Sequence, residues 1–446
     1  MAEPRPLNRL GIVGGGPVAL LAAIALARAL PTSDVFLLPC AVPEAALADH
    51  AVSGGAALRS LHARIGIGER LLLARAAASH CLAIHVEGIG AQPDFWLGHG
   101  AAVRDAAGGF AGEPSLAAVL AEAERFLDPG AAGGDLIDPV LRFDPAAYRA
   151  GLTMLARQAR VRELAPAAGL VGEGGIALAD GTHFEADLLI DATGSGWIRS
   201  AAGQSGWTEA DGPARSCRGS TAPQMSLRDR LLGRGGAFLH EQPGLSATTW
   251  TGSWEAMADE QRVLDAFASA AGAIPDPVFS IAPGRLATAW QGRVVAIGDA
   301  AARFAPTAGL NLHLAAAQIL LLLDLLPCGT PPFVETAEYN RRSALLAQDA
   351  LDFVAYLHGG IRSPALAQRI DQFARRGWVP VLAEGCVSVD LWAQLLAGLG
   401  HGPGKLPRRT AMPEAEAAAA AEARAGTRAT RLADAMPYAR WRASRA

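Results

Sequence analysis

The feature that most constrains this chain is a strand, a glycine turn and a helix in immediate succession over residues 9 to 30. Arg9 to Val13 is a short apolar run, Gly14-Gly15-Gly16 follows, and Val18 to Leu30 reads as a helix. A second apolar run of strand length, Asp34 to Leu38, completes a βαβ unit of about 30 residues. Within it, Gly14-x-Gly16-x-x-Ala19 has the spacing of a dinucleotide-binding turn, with Pro17 inside it. Glycine at the first position permits the tight turn, and glycine at the second lets the backbone approach a pyrophosphate. A small third residue lets helix and strand pack closely. The unpaired N–H groups at the helix start then face the anion. One usual partner is missing, because the acidic residue that ends the second strand and binds a ribose hydroxyl is replaced by Pro39 and Cys40.

Two more apolar strands run into small-residue turns. Asp187 to Ala192 leads into Thr193-Gly194, and Val294 to Ile297 leads into Gly298-Asp299-Ala300-Ala301. The second is preceded by Gly284-Arg285 and Trp290, and followed by Pro306-Thr307-Ala308-Gly309-Leu310-Asn311. In this order the elements match a flavin dinucleotide fold. Asp299, after Gly298, is delivered to the ribitol chain of FAD, while Pro306, Thr307, Gly309, Leu310 and Asn311 open a helix beside the isoalloxazine. A helix N-terminus there stabilises negative charge on the reduced ring.

The fold class expected is α/β: a Rossmann-like FAD-binding domain of the glutathione-reductase type, an inserted mixed β-sheet substrate domain, and a mostly helical C-terminal region. The FAD domain is discontinuous, over 1–80, 140–205 and 285–330. The substrate domain takes 81–139 and 206–284, and the helical region 331–446. Residues 55 to 80 are helical in pattern, and 82 to 103 alternate as strands do. Asp144 followed by Pro145 predicts a capped helix reaching Arg160.

Composition narrows the function. A chain of 446 residues can bury a large core. Its 51% apolar content owes much to alanine, and no stretch of about 20 residues is both apolar and uninterrupted. The nearest, Leu310 to Leu326, carries Asn311, His313, Gln318 and Asp324 and reads as a buried helix. No membrane span and no secretory signal are expected, and a cytoplasmic setting follows. Cys40, Cys81, Cys217, Cys328 and Cys386 are scattered, which argues against zinc or a redox pair. No metal site is expected. A net charge of −4 gives no broad attraction to nucleic acid.

Over residues 9 to 360 the chain resembles the flavin-dependent tryptophan halogenase family. The three turns carry the likeness. So do Ser60-Leu61-His62 through Ile65-Gly66-Ile67-Gly68-Glu69, and Glu338-Tyr339-Asn340-Arg341-Arg342 through Asp349, Asp352-Phe353 and His358. The resemblance implies FAD, an aromatic or peptidic substrate, and reduced flavin from a separate reductase. It also locates departures. The lysine that captures hypohalous acid falls on Cys81, and the only lysine in the chain is Lys405. The E-S-T-G segment is replaced by Pro306 to Gly309. The W-x-W-x-I-P signature gives way to Ala237-Phe238-Leu239-His240-Glu241-Gln242-Pro243.

His80, Cys81 and Asp49 are the catalytic candidates. The first two stand where the family keeps its lysine, and Asp49 lies near the place of its flavin-side G-E-A-T loop. Each has a plainer reading, as a packed histidine, a small buried hydrophobe and a surface loop residue. Three functions follow. The first is an FAD-dependent oxygenase or oxidase of an aromatic small molecule or peptide side chain. The second is a halogenase of an indole-like substrate with Lys405 as its displaced amine. The third is a non-catalytic member of the fold that binds a protein partner.

Overall fold

Branched aliphatic runs bounded by glycine make the centre of a parallel sheet, where both faces are covered and strands need no polar side. The computed structural model describes residues 7–105, 109–129, 136–172, 175–203, 206–327, 334–360, 363–402 and 413–445. They divide into two compact units. The first comprises residues 1–77, 143–216 and 279–351, and the second 78–142, 217–278 and 352–446.

In the first unit a six-stranded sheet runs in the order Trp290–Gln291, Val294–Ala296, Leu188–Asp191, Arg9–Val13, Asp34–Leu38, Arg162–Glu163. All neighbours are parallel except the antiparallel edge at Trp290. Leu10 stands opposite both Leu188 and Val35, and Ile190 opposite Val295. Leu10, Ile12, Val13, Leu188, Ile190 and Val295 are wholly buried. The helix Pro17–Ala29 packs on this sheet with helices Pro145–Gln158 and Leu310–Asp324 beside it. The expected cap is present: Asp144 accepts the Ala147 N–H at 2.7 Å, with Pro145 at the first helical position.

The pattern over 55 to 80 resolves into two helices, Ala56–Arg64 and Glu69–Arg75, and then a strand at Ser79–Cys81. Gly66 at φ 62° ends the first helix, and extended Gly68 starts the second. A glycine in the left-handed region costs little there and stops the helix. The helix Leu310–Asp324 is buried on most of its surface. No described helix is long and apolar enough to cross a membrane.

In the second unit five consecutive strands of a larger sheet run in the order Thr248–Trp254, Ala237–Gln242, Arg228–Arg234, Ala83–Glu87, Asp94–Gly98. The pair Arg228–Arg234 with Ala83–Glu87 is parallel and the others are antiparallel. Trp250, Trp254 and Leu239 on this sheet pack against Val263 and Phe267 of helix Glu260–Ala271. Helices Val389–Gly398, Glu414–Asp434 and Tyr438–Ala443 belong to the same unit. Gln394 fastens one of them: its amide accepts the Gly98 N–H at 2.8 Å and donates to the Gly98 carbonyl at 3.1 Å.

Candidate functional site

Because the central strands are parallel and in register, their following turns leave the same edge of the sheet, where open α/β sheets bind ligands. The chain is laced together there. Gly14 N–H donates to Leu38 O, Ala192 N–H to Val13 O, and Ile297 N–H to Asp191 O, at 3.1, 2.9 and 3.0 Å. Three of the sequence-predicted pieces, Gly14–Ala19, Asp191–Gly194 and Gly298–Asp299, thereby meet.

The glycines are required by close approach. A Cβ on Gly14 would collide with the Ala192 carbonyl and with Ala19 Cβ, and one on Gly15 with the Cys40 carbonyl. Gly16 is extended and caps the opening helix without a side chain of its own, and Pro17 takes the first helical position. The cap comes from elsewhere in the chain. Asp49 Oδ1 accepts the Val18 N–H at 2.9 Å, and its carboxylate lies where a Cβ on Gly16 would be. One residue earlier, Ala48 N–H donates to Asp299 Oδ2 at 2.6 Å. Ala46 sits against Gly194 in the space a Cβ would need.

This arrangement gathers buried acids. Burial pushes Asp49 up to about 7, against the opposing pull of the Val18 N–H and of Arg149. Burial likewise pushes Asp299 up to about 7, opposed by Ala48 and Arg303 and reinforced by the charge of Asp49. Asp191 is raised by burial too, although Thr193 bonds it. Among the described residues Asp299 Oδ1 and Asp191 Oδ2 are buried without a hydrogen-bond partner. Asp49 is thus a buried cap, where the sequence allowed a surface loop.

The turn before the later helix is braced internally. Gly309 caps Leu310–Asp324 in the left-handed conformation, and Ala308 is also left-handed. Thr307 Oγ1 donates to Ala305 O at 3.2 Å and Asn311 Nδ2 to Phe304 O at 3.0 Å, both side chains being buried. Pro306 lies in the same turn, and Leu310 is buried. Gly298 N–H donates to Gln318 Oε1 at 2.8 Å. His313, half-buried, accepts the Ala57 N–H.

The backbone of the opening turn suits the diphosphate of FAD: a helix N-terminus, glycines that permit contact, and a carboxylate standing in for the anion at Val18. Asp49 occupies that Val18 N–H and the space in front of Gly16 in this structure. Cys40 is no substitute for the missing acid after the second strand, since burial and the charges of Asp191 and Asp49 push its thiol up to about 11.

In the second unit, His80 and Cys81 lie in the strand Ser79–Cys81 and are buried. The His80 N–H donates to the Tyr438 hydroxyl at 2.7 Å, and the ring packs against Phe126 and Trp441. Cys81 Sγ faces the Ala83 carbonyl at 3.4 Å, and burial followed by the charge of Asp229 pushes its thiol far above the usual range. It is neither an amine nor a ready thiolate. Beside it is a cluster that sequence reasoning missed. Arg142 Nη1 donates to Asp229 Oδ1 at 3.0 Å, and His240 Nε2 lies 3.2 Å from Asp229 Oδ2. Burial opposes the Asp229 charge, but Arg142 and His240 prevail and hold the carboxyl below its ordinary value. The polar run His240-Glu241-Gln242 inside a strand was the one available signal. Lys405 lies outside the described residues. Among the described residues no group of three or more His, Cys, Asp or Glu could hold a metal ion.

A family model described as tryptophan halogenase matches residues 9–210 and 253–413. No curated protein matches the chain significantly. Solved structures share its fold. The flavin-dependent halogenase BrvH from Brevundimonas sp. BAL3 superposes with a TM-score of 0.85 at 19% identity, over 98% of this chain and 99% of that one. Xcc4156, a flavin-dependent halogenase from Xanthomonas campestris, gives 0.84 at 19% identity, over 98% of each chain. MibH, described as a lathipeptide tryptophan 5-halogenase, gives 0.82 at 19%, over 99% of this chain and 94% of that one.

Proposed function

Because the chain belongs to the tryptophan halogenase family, we propose that it is an FAD-dependent oxidoreductase. In this reading it is an oxygenase or oxidase of an aromatic small molecule or a peptide side chain, and takes reduced flavin from a partner reductase in the cytoplasm. The observation that carries the reading is the convergence of three strand-end turns at one edge of the parallel sheet, through the bonds Ala192 to Val13 and Ile297 to Asp191. Gly14, Gly16, Pro17 and Ala19 would receive the diphosphate, and Gly298 with Asp299 the ribitol. The turn from Pro306 and Thr307 through Gly309, Leu310 and Asn311 would face the ring. When bound, FAD would supply the two-electron reduction of dioxygen. The chain's share is to present the Val18 N–H to an anion and the start of Leu310–Asp324 to developing negative charge.

Family membership itself favours a second reading, halogenation of an indole-like substrate. Buried Cys81, at the position where the resemblance puts the lysine, weighs against it, since a thiol held protonated cannot capture hypohalous acid as an amine does. The test is to incubate the purified chain with FAD, a flavin reductase, NADH, oxygen, bromide and indole-like substrates, and to weigh the products. Addition of one oxygen is the expected result. A brominated product would establish the second reading. Turnover of none, with FAD demonstrably bound, would overturn the oxygenase assignment for this substrate class.

A further inference from the structure

We propose that residues 46–49 are a built-in plug of the dinucleotide cradle, with the Asp49 carboxylate competing with the FAD diphosphate for the N-terminus of the helix Pro17–Ala29. The proposal rests on the FAD reading above and adds its regulation: the cofactor loads only when this segment withdraws.

Three separate contacts seat the segment. Asp49 takes the Val18 N–H at 2.9 Å and fills the space that Gly16 leaves open. Ala48 N–H donates to Asp299 Oδ2 at 2.6 Å, which engages the side chain assigned to the ribitol. Ala46 occupies the hollow above Gly194. A single segment thus touches all three turns of the site. The segment is a tight turn, in which the Asp49 and His50 N–H groups both donate to the Ala46 carbonyl at 3.1 Å.

The seat is also poised to open. Among the described residues Asp299 Oδ1 has no hydrogen-bond partner, and its residue is only 3% exposed. Leaving a buried carboxyl oxygen without a partner costs free energy in the closed state. Asp49 and Asp299 lie close enough for the charge of one to raise the other, so the plug holds two like-charged groups together. A diphosphate bound beside both would meet the same repulsion. Withdrawal of Asp49 into water removes the repulsion between the two carboxylates and uncovers the Val18 N–H at once.

The experiment measures FAD affinity by equilibrium dialysis for the full chain, Asp49→Gly and Asp49→Asn, with amide hydrogen exchange on each protein without FAD. Asp49→Gly removes the carboxylate and should bind FAD at least tenfold more tightly than the original chain. Asp49→Asn keeps the volume and the acceptor, and should gain less. Val18 and Ala48 amides should be protected in the original chain and exchange faster in Asp49→Gly. If all three proteins bind FAD equally, the plug is refuted and the FAD reading stands. If none binds FAD, the FAD reading falls and with it the competition. Fast exchange at Val18 and Ala48 in the original chain would show the cradle open and refute the plug whatever the affinities.

Discussion

Asp49 and Asp299 show how far a single side chain can depart from what its neighbours in sequence suggest. Both have folded-state values near 7, above the unfolded carboxylate value of about 3.9. Groups raised in this way contribute stability that is fully present below the unfolded value and is lost as pH rises through the folded one. The other titratable or charged groups facing this pair are Arg149 and Cys40 at Asp49 and Arg303 at Asp299. Melting temperature should therefore fall between about pH 4 and about pH 7, and Asp49→Asn should flatten that profile. A profile unchanged in the variant would place the titration elsewhere. Arg142 and Asp229 form the second residue-scale case. Both are nearly inaccessible, so Asp229→Ala strands a buried guanidinium and should cost about 3–5 kcal/mol in urea unfolding. Cys81→Lys should be destabilising by a similar order, because it forces a larger, charged side chain into a closed position beside Arg142. It should not restore halogenation.

At the scale of elements, legibility followed locality. The helix Pro145–Gln158 was readable because its cap, Asp144, and its first residue, Pro145, are adjacent in sequence and act within one turn. Asp144→Ala should cost about 1 kcal/mol, measurable by chemical denaturation. The opening turn was readable because glycines at fixed spacing are demanded by backbone contact. Gly14→Ala would drive a methyl group into the Ala192 carbonyl and Ala19. It should destabilise the first unit by roughly 1–3 kcal/mol, as overpacking does. The stretch over 55 to 80 was less legible, since its helical periodicity continues across the breaks at Gly66 and Gly68. What capped the opening helix was not legible at all, for its acceptor stands 31 residues away.

For the molecule as a whole, the three pieces of the first unit are far apart in sequence, yet their parallel strands share one sheet. The C-terminal stretch divides, with residues up to 351 in the first unit and those from 352 in the second. Its last helix is structural: Tyr438 and Trp441 are buried and enclose His80 with Phe126. Removing residues 436–446 would expose that cluster and should lower the melting temperature of the second unit by several degrees. An unchanged melting curve would contradict the assignment. Sequence alone determined the dinucleotide-type α/β scaffold, because glycine spacing, strand-length apolar runs and caps act through adjacent backbone. It also determined the family, and the absence of lysine near residue 81. Only the tertiary structure decided what fills the cradle and which charges are paired in the core. Asp49 reaches Val18, and Arg142 reaches Asp229, through contacts between distant segments that leave no local pattern.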